Sequence, residues 1–192
     1  TNNTKSEEMI NAIDKAKKNG DSVGGIFEII ATGLPYGLGS YTQWNKKLNS
    51  RISEMIMSIN AFKSIEFGSG AKQAQKLGSN VHDEIILDGD SFSRSTNNAG
   101  GIEGGMSNAQ PIIIRATMKP IPTLTKPLKS IDIITKEEKL AHKERTDSCA
   151  VPAASIISES MVCITILDAL LEKFGGDTLN QLKQHIKISG RY

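Results

Sequence analysis

The sequence predicts a mixed α and β fold, because segments with helical periodicity alternate with short runs of β-branched residues. Residues 48–59 carry apolar side chains at helical spacing, and residues 151–174 are apolar on most faces, which predicts a buried helix. Residues 26–32 and 112–118 are rich in isoleucine and are predicted to be strands. The chain has 192 residues, a length that suits one domain over residues 1–192.

The other elements are predicted from local signals in chain order. Ser6 is a favourable N-cap for a helix over residues 6–19, and Asn19-Gly20 tolerate the left-handed backbone that ends helices. The remaining signals are weaker. They predict a strand at 64–67, a short helix at 69–77, mostly loop at 78–107, a strand at 131–134, and a helix at 178–186 that leads to a polar tail.

Composition excludes several classes of protein. The chain carries 23 basic and 21 acidic side chains, so its net charge of +2 argues against a nucleic-acid partner or a polybasic membrane protein. No apolar run that could span a bilayer and no signal peptide are expected, so no membrane partner is predicted. Two cysteines make no disulfide framework and favour a reducing cytoplasm. Because the chain opens on Thr1 rather than Met, we expect a fragment.

Standard site motifs do not match this sequence. Phosphate-binding loops and dinucleotide fingerprints need glycines at fixed offsets that do not occur here, and the nucleophile elbow is also missing. The cysteines and histidines lack zinc spacing, so no metal site is predicted. His82, His142 and His185 are expected to be exposed or loop residues.

Two glycine-rich runs and three charged residues are the candidate functional features. Residues 20–25 and 97–108 combine glycines with polar residues, and such runs either present bare amide donors to a flat or anionic ligand or serve as flexible turns. Lys119 projects from a strand end before two prolines, or is an ordinary solvated lysine. Arg145 and Asp147 precede the long apolar helix, where an aspartate by default caps the helix N-terminus.

In this order, these segments resemble the C-terminal half of the chorismate synthase family, from about Ser6 to Leu171. Any one segment is weak evidence, whereas the ordered set is specific. The matching runs are 20–28, 33–39, 57–68, Asp83-Glu84, 97–108, Lys119-Pro120 and 145–161.

The resemblance implies a fold and an activity. The family fold is an α+β sandwich in which helices lie between antiparallel sheets, assembled as a homotetramer. The family converts 5-enolpyruvylshikimate 3-phosphate to chorismate and phosphate by a 1,4-anti elimination, the last common step of the shikimate pathway. The reaction needs reduced FMN, which family members either generate with NADPH or take from an outside supply.

The resemblance also implies site residues at matching positions. Asp147 matches the family aspartate that acts on the proton at flavin N5. The residues that match flavin contacts are Asn60, Ala61, Gly104, Lys119, Pro120, Ile121, Pro122, Thr123 and Arg145.

The chain departs from the family pattern in ways that bear on activity. Thr146 stands where the family usually has His, Ala153 where it often has a substrate-binding Arg, and Ala109 where Gly is common. The family's N-terminal half, with its two histidine motifs, has no counterpart here. The isolated chain is therefore expected to be inactive.

Two other interpretations stay open from the sequence. In the first, the chain is a non-catalytic module that binds a flavin or phosphate ligand or mediates oligomerisation. In the second, it is a structural domain whose glycine turns bind nothing. The joint presence of Lys119, Arg145 and Asp147 beside glycine turns favours the lyase fragment over both.

Overall fold

The computed structural model describes residues 2–189, and the last part of the predicted polar tail, residues 190–192, lies outside them. Helices and antiparallel strands alternate along the chain, which confirms the predicted α+β class. The helices are α1 (Asn3–Lys18), α2 (Leu48–Met57), α3 (Val151–Phe174) and α4 (Leu179–Ile188). The strands are β1 (Gly25–Ala31), β2 (Phe62–Phe67), β3 (Ile85–Asp88), β4 (Ser91–Arg94), β5 (Ile102–Glu103), β6 (Met106–Ser107), β7 (Ile112–Met118), β8 (Lys129–Ile131) and β9 (Glu138–Leu140).

The main sheet has three strands in the order β1-β7-β2, and β7 is the central strand. Alternate residues of β7 are buried, because successive side chains of a strand point to opposite faces. This central strand has the predicted bounds. Strand β1 begins and ends one residue before the predicted bounds. Strand β2 begins two residues before its predicted start, at Phe62, and its pairing with β7 shifts register between Phe62 and Ser64.

Helices α2 and α3 cover one face of the sheet and form the core with it. Leu48, Ile52 and Ile56 of α2 are fully buried at the predicted helical spacing. Helix α3 has the predicted bounds, with Pro152 in its first turn and Gly175 after its end. The described residues supply one such sheet, so they account for one sheet layer of the predicted sandwich.

The expectation that α3 is buried is only partly correct. One face packs on β1 and α2, whereas Ile156, Ile157, Ile164 and Leu167 are at least half exposed. With 24 residues and a mean hydropathy of 1.8, α3 is also long and apolar enough to cross a membrane, which corrects the expectation that no apolar segment reaches that length. Only 33% of its most apolar window is buried.

The N-terminal helix begins earlier than predicted. Asn2 is the N-cap, and its side chain accepts a hydrogen bond from the Lys5 amide at 3.3 Å, so Ser6 lies within the helix. Asn19 is the C-cap as predicted, and Gly20 follows with φ of 70°. Of the apolar residues in α1, Ala16 is buried and Met9 and Ile10 are exposed.

Three hairpins correct the predictions for the loop segments. Residues 78–107, expected to be mostly loop, contain β3–β4 and β5–β6. The short helix predicted at 69–77 is a 3-10 helix at Gly70–Gln75. The strand predicted at 131–134 ends at Ile131, because the carboxylate of Asp132 accepts hydrogen bonds from the amides of Ile134 and Thr135 and closes a turn between β8 and β9. The predicted last helix is present as α4, capped by Thr178.

Candidate functional site

The segment Lys119–Thr123 leaves the end of the central strand and meets the residues that follow α2. The Lys119 amide donates a hydrogen bond to the Ala61 carbonyl at 2.9 Å. Ala61 has a positive φ of 72°, an uncommon conformation for alanine that turns the chain from α2 into β2. The fold therefore brings the predicted residues Asn60 and Ala61 beside Lys119.

The glycine run 20–25 packs against the same segment. The Ser22 hydroxyl donates to the Ile121 carbonyl at 2.6 Å, and the Lys126 amide donates to the Gly20 carbonyl at 3.0 Å. A Cβ at Gly24 would collide with the backbone of Met118–Pro120. Gly24 thus serves backbone-to-backbone packing, a role that neither the ligand-contact nor the flexible-turn interpretation of the run had assigned to it.

The segment Arg145–Ser148 completes this junction. The Thr123 hydroxyl donates to the Thr146 hydroxyl at 2.9 Å, and the Val23 amide donates to the Ser148 carbonyl at 2.8 Å. Thr146, which stands where the resembled family has histidine, thereby ties Arg145 and Asp147 to the segment after β7. Four stretches of chain that are far apart in sequence meet at one end of the sheet.

Asp147 does not cap the helix that follows it. The N-cap of α3 is Ala150, and no side chain donates or accepts a capping hydrogen bond there. This result rules out the default interpretation of Asp147. Within residues 2–189, the side chains of Lys119, Arg145 and Asp147 are exposed and have no hydrogen bond or ion pair.

Gly104 lies apart from this junction. It forms the turn between β5 and β6 with Gly105, and both have positive φ, 62° and 92°, as a type I′ turn requires. The Gly105 carbonyl accepts from the amide of Leu48, the first residue of α2, whereas Asn60 follows the end of α2. A helix of ten residues is about 15 Å long, so the predicted site residues form two groups at opposite ends of α2.

A cavity of about 310 Å³ opens beside Gly104. Its walls also contain Lys47 and Asn49, which the sequence reasoning missed because both lie at the start of an ordinary amphipathic helix. The Oδ1 atom of Asn49 is buried and has no hydrogen-bond donor among the described residues. A Cβ on Gly104 would meet nothing within 4 Å.

Asp83 anchors the glycine-rich loop that precedes β5. Its buried carboxylate accepts hydrogen bonds from the Thr96 hydroxyl at 2.5 Å and from the amides of Asn98 and Ala99 at 2.7 and 2.9 Å. Burial by itself would raise the pKa of Asp83, but these donors outweigh it and hold the pKa below its ordinary value. Gly100 packs on Gly68, so this part of the run is also a built turn rather than a flexible one.

The departures from the family pattern fall at accessible positions. Ala153 is exposed in the first turn of α3, and Ala109 has φ of 64° in the turn before β7. His82 and His142 are exposed as predicted, whereas His185 contacts the Phe174 carbonyl through Nδ1 at 2.8 Å. Within residues 2–189, no group of three or more metal-binding side chains is present.

The two groups of residues offer different chemistry. The junction offers two cations, Lys119 and Arg145, beside one carboxylate, Asp147, which suits an anionic ligand that exchanges a proton. The second group offers an open glycine turn, and such turns can present bare backbone amides to a ligand.

Comparisons with known proteins give one consistent family. A family model described as chorismate synthase matches residues 1–171. The chain is 51% identical over 186 residues to the chorismate synthase of Syntrophotalea carbinolica. This alignment covers 97% of this chain and 48% of the relative. The chain is 56% identical over 182 residues to the chorismate synthase of Listeria monocytogenes serotype 4a. That alignment covers 94% of this chain and 47% of the relative.

A solved structure supports the same family. A crystal structure described as that of chorismate synthase matches with a TM-score of 0.79 and 40% identity, over 96% of this chain and 48% of that one. The chain therefore spans about half the length of the curated relatives that it matches.

Proposed function

Because this chain belongs to the chorismate synthase family, we propose that it forms part of an enzyme that converts 5-enolpyruvylshikimate 3-phosphate to chorismate and phosphate. The reaction class is a carbon–oxygen lyase step in which phosphate leaves by 1,4-anti elimination. Reduced FMN is the proposed cofactor and, when bound, supplies the transient electron density that the elimination needs. NADPH is the proposed reductant.

One observation carries this proposal: three charged side chains that have no partner within residues 2–189 belong to chain segments that meet at the junction. Lys119 and Arg145 are proposed to bind the anionic ligand and to stabilise the charge of the departing phosphate. Asp147 is proposed as the catalytic carboxylate, which accepts or orients a proton at the flavin edge. Its freedom from a capping role leaves this carboxylate available.

The proposed flavin contacts are distributed over both ends of α2. Backbone amides and carbonyls of these segments, held by Ser22 and Thr146, provide the preorganised positions. The contacts are Asn60, Ala61, Gly104, Lys119, Pro120, Ile121, Pro122, Thr123 and Arg145.

We also propose that the working enzyme is a cytoplasmic homotetramer. The exposed apolar face of α3, which includes Ile156 and Leu167, supports a buried position in the assembled protein. The unpaired Cys149 and Cys163 are consistent with a reducing compartment. Light scattering after gel filtration measures the assembly, and a monomer at working concentration would count against the tetramer.

The activity is tested in a hybrid chain. This sequence replaces the corresponding half of the Listeria monocytogenes relative, and phosphate release from 5-enolpyruvylshikimate 3-phosphate is followed without oxygen in the presence of reduced FMN. We expect turnover by the hybrid and none by the chain alone. Asp147→Asn in the hybrid should lower kcat at least about a hundredfold, the scale of lost general acid–base catalysis, with Tm unchanged.

The controls separate the proposal from its alternatives. Asp14→Asn, at an exposed position of α1, should leave both kcat and Tm unchanged. Lys119→Met should weaken FMN affinity, and an unchanged affinity would identify Lys119 as an ordinary solvated lysine. A folded hybrid that binds FMN without turnover would favour a non-catalytic binding module, and one that binds no flavin would leave a structural or oligomerisation domain.

A further inference from the structure

We propose that Thr146 is a positioning residue: its hydroxyl links the segment after β7 to the backbone of Asp147 and so holds the Asp147 carboxylate in its working place. The inference rests on the proposed function, since Asp147 is the proposed catalytic carboxylate there. Thr146 needs no contact with the ligand for this role, because its whole effect passes through Asp147.

The chain that leads to Asp147 has little support of its own. The structure describes residues 141–150, and they form neither helix nor strand between the end of β9 and the start of α3. Within the described part of the chain, residues 142–145 make no hydrogen bond and no ion pair. The place of the Asp147 carboxylate therefore depends on the bonds of the residues beside it.

Thr146 provides the first of these bonds. Its hydroxyl accepts a hydrogen bond from the Thr123 hydroxyl at 2.9 Å and donates one to the Asp147 carbonyl at 3.3 Å. The second bond spans the peptide between Thr146 and Asp147, so it restricts the backbone torsions of Asp147. Threonine is β-branched and stiff at χ1, which keeps the hydroxyl in one direction.

A backbone bond holds the other side of Asp147. The Ser148 carbonyl accepts a hydrogen bond from the Val23 amide at 2.8 Å. Asp147 is thus held from both neighbours, by a side chain on one side and by backbone on the other. Of these two supports, only that of Thr146 can be removed by a single substitution of a side chain.

The bond to Thr123 refers Asp147 to a segment that is itself fixed. The Lys119 amide donates to the Ala61 carbonyl at 2.9 Å, and the Ser22 hydroxyl donates to the Ile121 carbonyl at 2.6 Å. These bonds hold the segment that carries most of the proposed flavin contacts. Displacement of a catalytic group by about 1 Å can cost about a hundredfold in rate, so this link matters for the reaction.

The same link contributes little to the stability of the fold. Thr123 and Thr146 are both half-buried, so water can replace the bond when one hydroxyl is removed. Loss of the Thr146 hydroxyl should therefore lower catalysis far more than it lowers Tm. This contrast distinguishes a positioning residue from a structural one.

The test uses the hybrid enzyme and two substitutions at one position. Thr146→Val keeps the branched shape and removes the hydroxyl, and it should lower kcat about tenfold to a hundredfold. Its FMN affinity and substrate KM should stay within about threefold, and its Tm should fall by less than about 4 °C. Thr146→Ser keeps the hydroxyl and should keep kcat within about threefold. The matched control is Thr125→Val, at an exposed threonine without a hydrogen bond from its side chain within residues 2–189, and it should leave kcat within about twofold.

A double-mutant cycle tests whether Thr146 acts through Asp147. In the Asp147→Asn hybrid the hydroxyl has no carboxylate left to position, so adding Thr146→Val should lower kcat by less than about twofold. Two independent roles would instead multiply the two losses, and that result would overturn the inference.

The outcomes separate this inference from the proposed function. If Asp147→Asn lowers kcat and Thr146→Val leaves it within about twofold, the inference is overturned and the proposed function stands. Equal losses in Thr146→Ser and Thr146→Val would also overturn it, because the hydroxyl would then be irrelevant. A folded hybrid without turnover would overturn the proposed function and this inference with it.

Discussion

Replacement of Asp83 should destabilise the loop that leads into the β5–β6 hairpin. This carboxylate is 7% exposed and accepts three hydrogen bonds, from the Thr96 hydroxyl and from the amides of Asn98 and Ala99. Through this loop Asp83 fixes the start of β5. Loss of its carboxylate should therefore disturb the backbone at Gly104 and lower the free energy of unfolding. Asp83→Ala removes both acceptor oxygens, whereas Asp83→Asn keeps one of them.

The magnitude follows from the donors that each variant leaves without an acceptor. A buried donor without a partner costs about 1–3 kcal/mol. Asp83→Ala orphans two amides and one hydroxyl, and because the Thr96 hydroxyl can rotate, we expect a loss of about 3–4 kcal/mol. Asp83→Asn keeps an acceptor for Thr96 and Asn98 but places an NH₂ group against the Ala99 amide, so we expect about 2 kcal/mol.

The loss should depend on pH with a defined sign. The pKa of Asp83 in the folded chain lies below its ordinary value of 3.8, so the folded state binds the proton less well than the unfolded state. The stabilisation is therefore fully present above that ordinary value and is lost as the pH falls through the folded value. The stability difference between the unaltered chain and Asp83→Asn should shrink in the same acidic range.

Urea unfolding at a series of pH values measures these differences, with the slope m checked for constancy. Asp90→Asn, on the exposed turn of the neighbouring hairpin, is the matched control and should change stability by less than about 0.5 kcal/mol. A loss below about 0.5 kcal/mol for Asp83→Asn, or a loss independent of pH, would refute the assignment of Asp83 as the loop anchor.

Three further substitutions test other parts of the fold. Ala109→Gly should raise the free energy of unfolding by about 0.5–1 kcal/mol, because Ala109 holds a positive φ of 64°; thermal melting measures it, and a lower Tm would contradict it. Gly24→Ala should cost about 1–3 kcal/mol, because its Cβ would overlap the Met118 carbonyl; unchanged stability would show that the backbone yields freely. Arg51→Met should cost less than about 1 kcal/mol and less still at high salt, because its partners Asp168 and Glu172 are exposed; a salt-independent loss above about 2 kcal/mol would contradict a surface ion pair.

Local sequence predicted the two elements that dominate the core. The bounds of β7 and α3 follow from their apolar runs, and each run is ended by a proline or glycine that stops the element. The hairpins β3–β4 and β5–β6 were missed, because each pairs segments of only two to four residues whose periodicity is too short to detect. The start of α1 was misplaced because Asn2 and Ser6 are equally good caps in isolation.

The candidate site divides in the same way. The resemblance supplied the identities of the predicted residues, and those at the junction after β7 come together as a shared site requires. No local pattern indicates that Gly104 lies near Leu48 at the start of α2, because the two residues are 56 positions apart in the chain. Lys47, Asn49 and Asp83 were not predicted as site residues. Only the folded chain places Lys47 and Asn49 in a cavity wall and surrounds the Asp83 carboxylate with three hydrogen-bond donors.

The sequence by itself determined the α+β class, the family and the identities of the charged residues, because these depend on periodicity, composition and the order of motifs. Tertiary structure decided what each residue does. Gly24 packs on the backbone of the segment after β7, Asp147 caps no helix, and α3 leaves part of its apolar surface exposed. The physical reason is that partners and burial are fixed by contacts between distant segments, which no local pattern records.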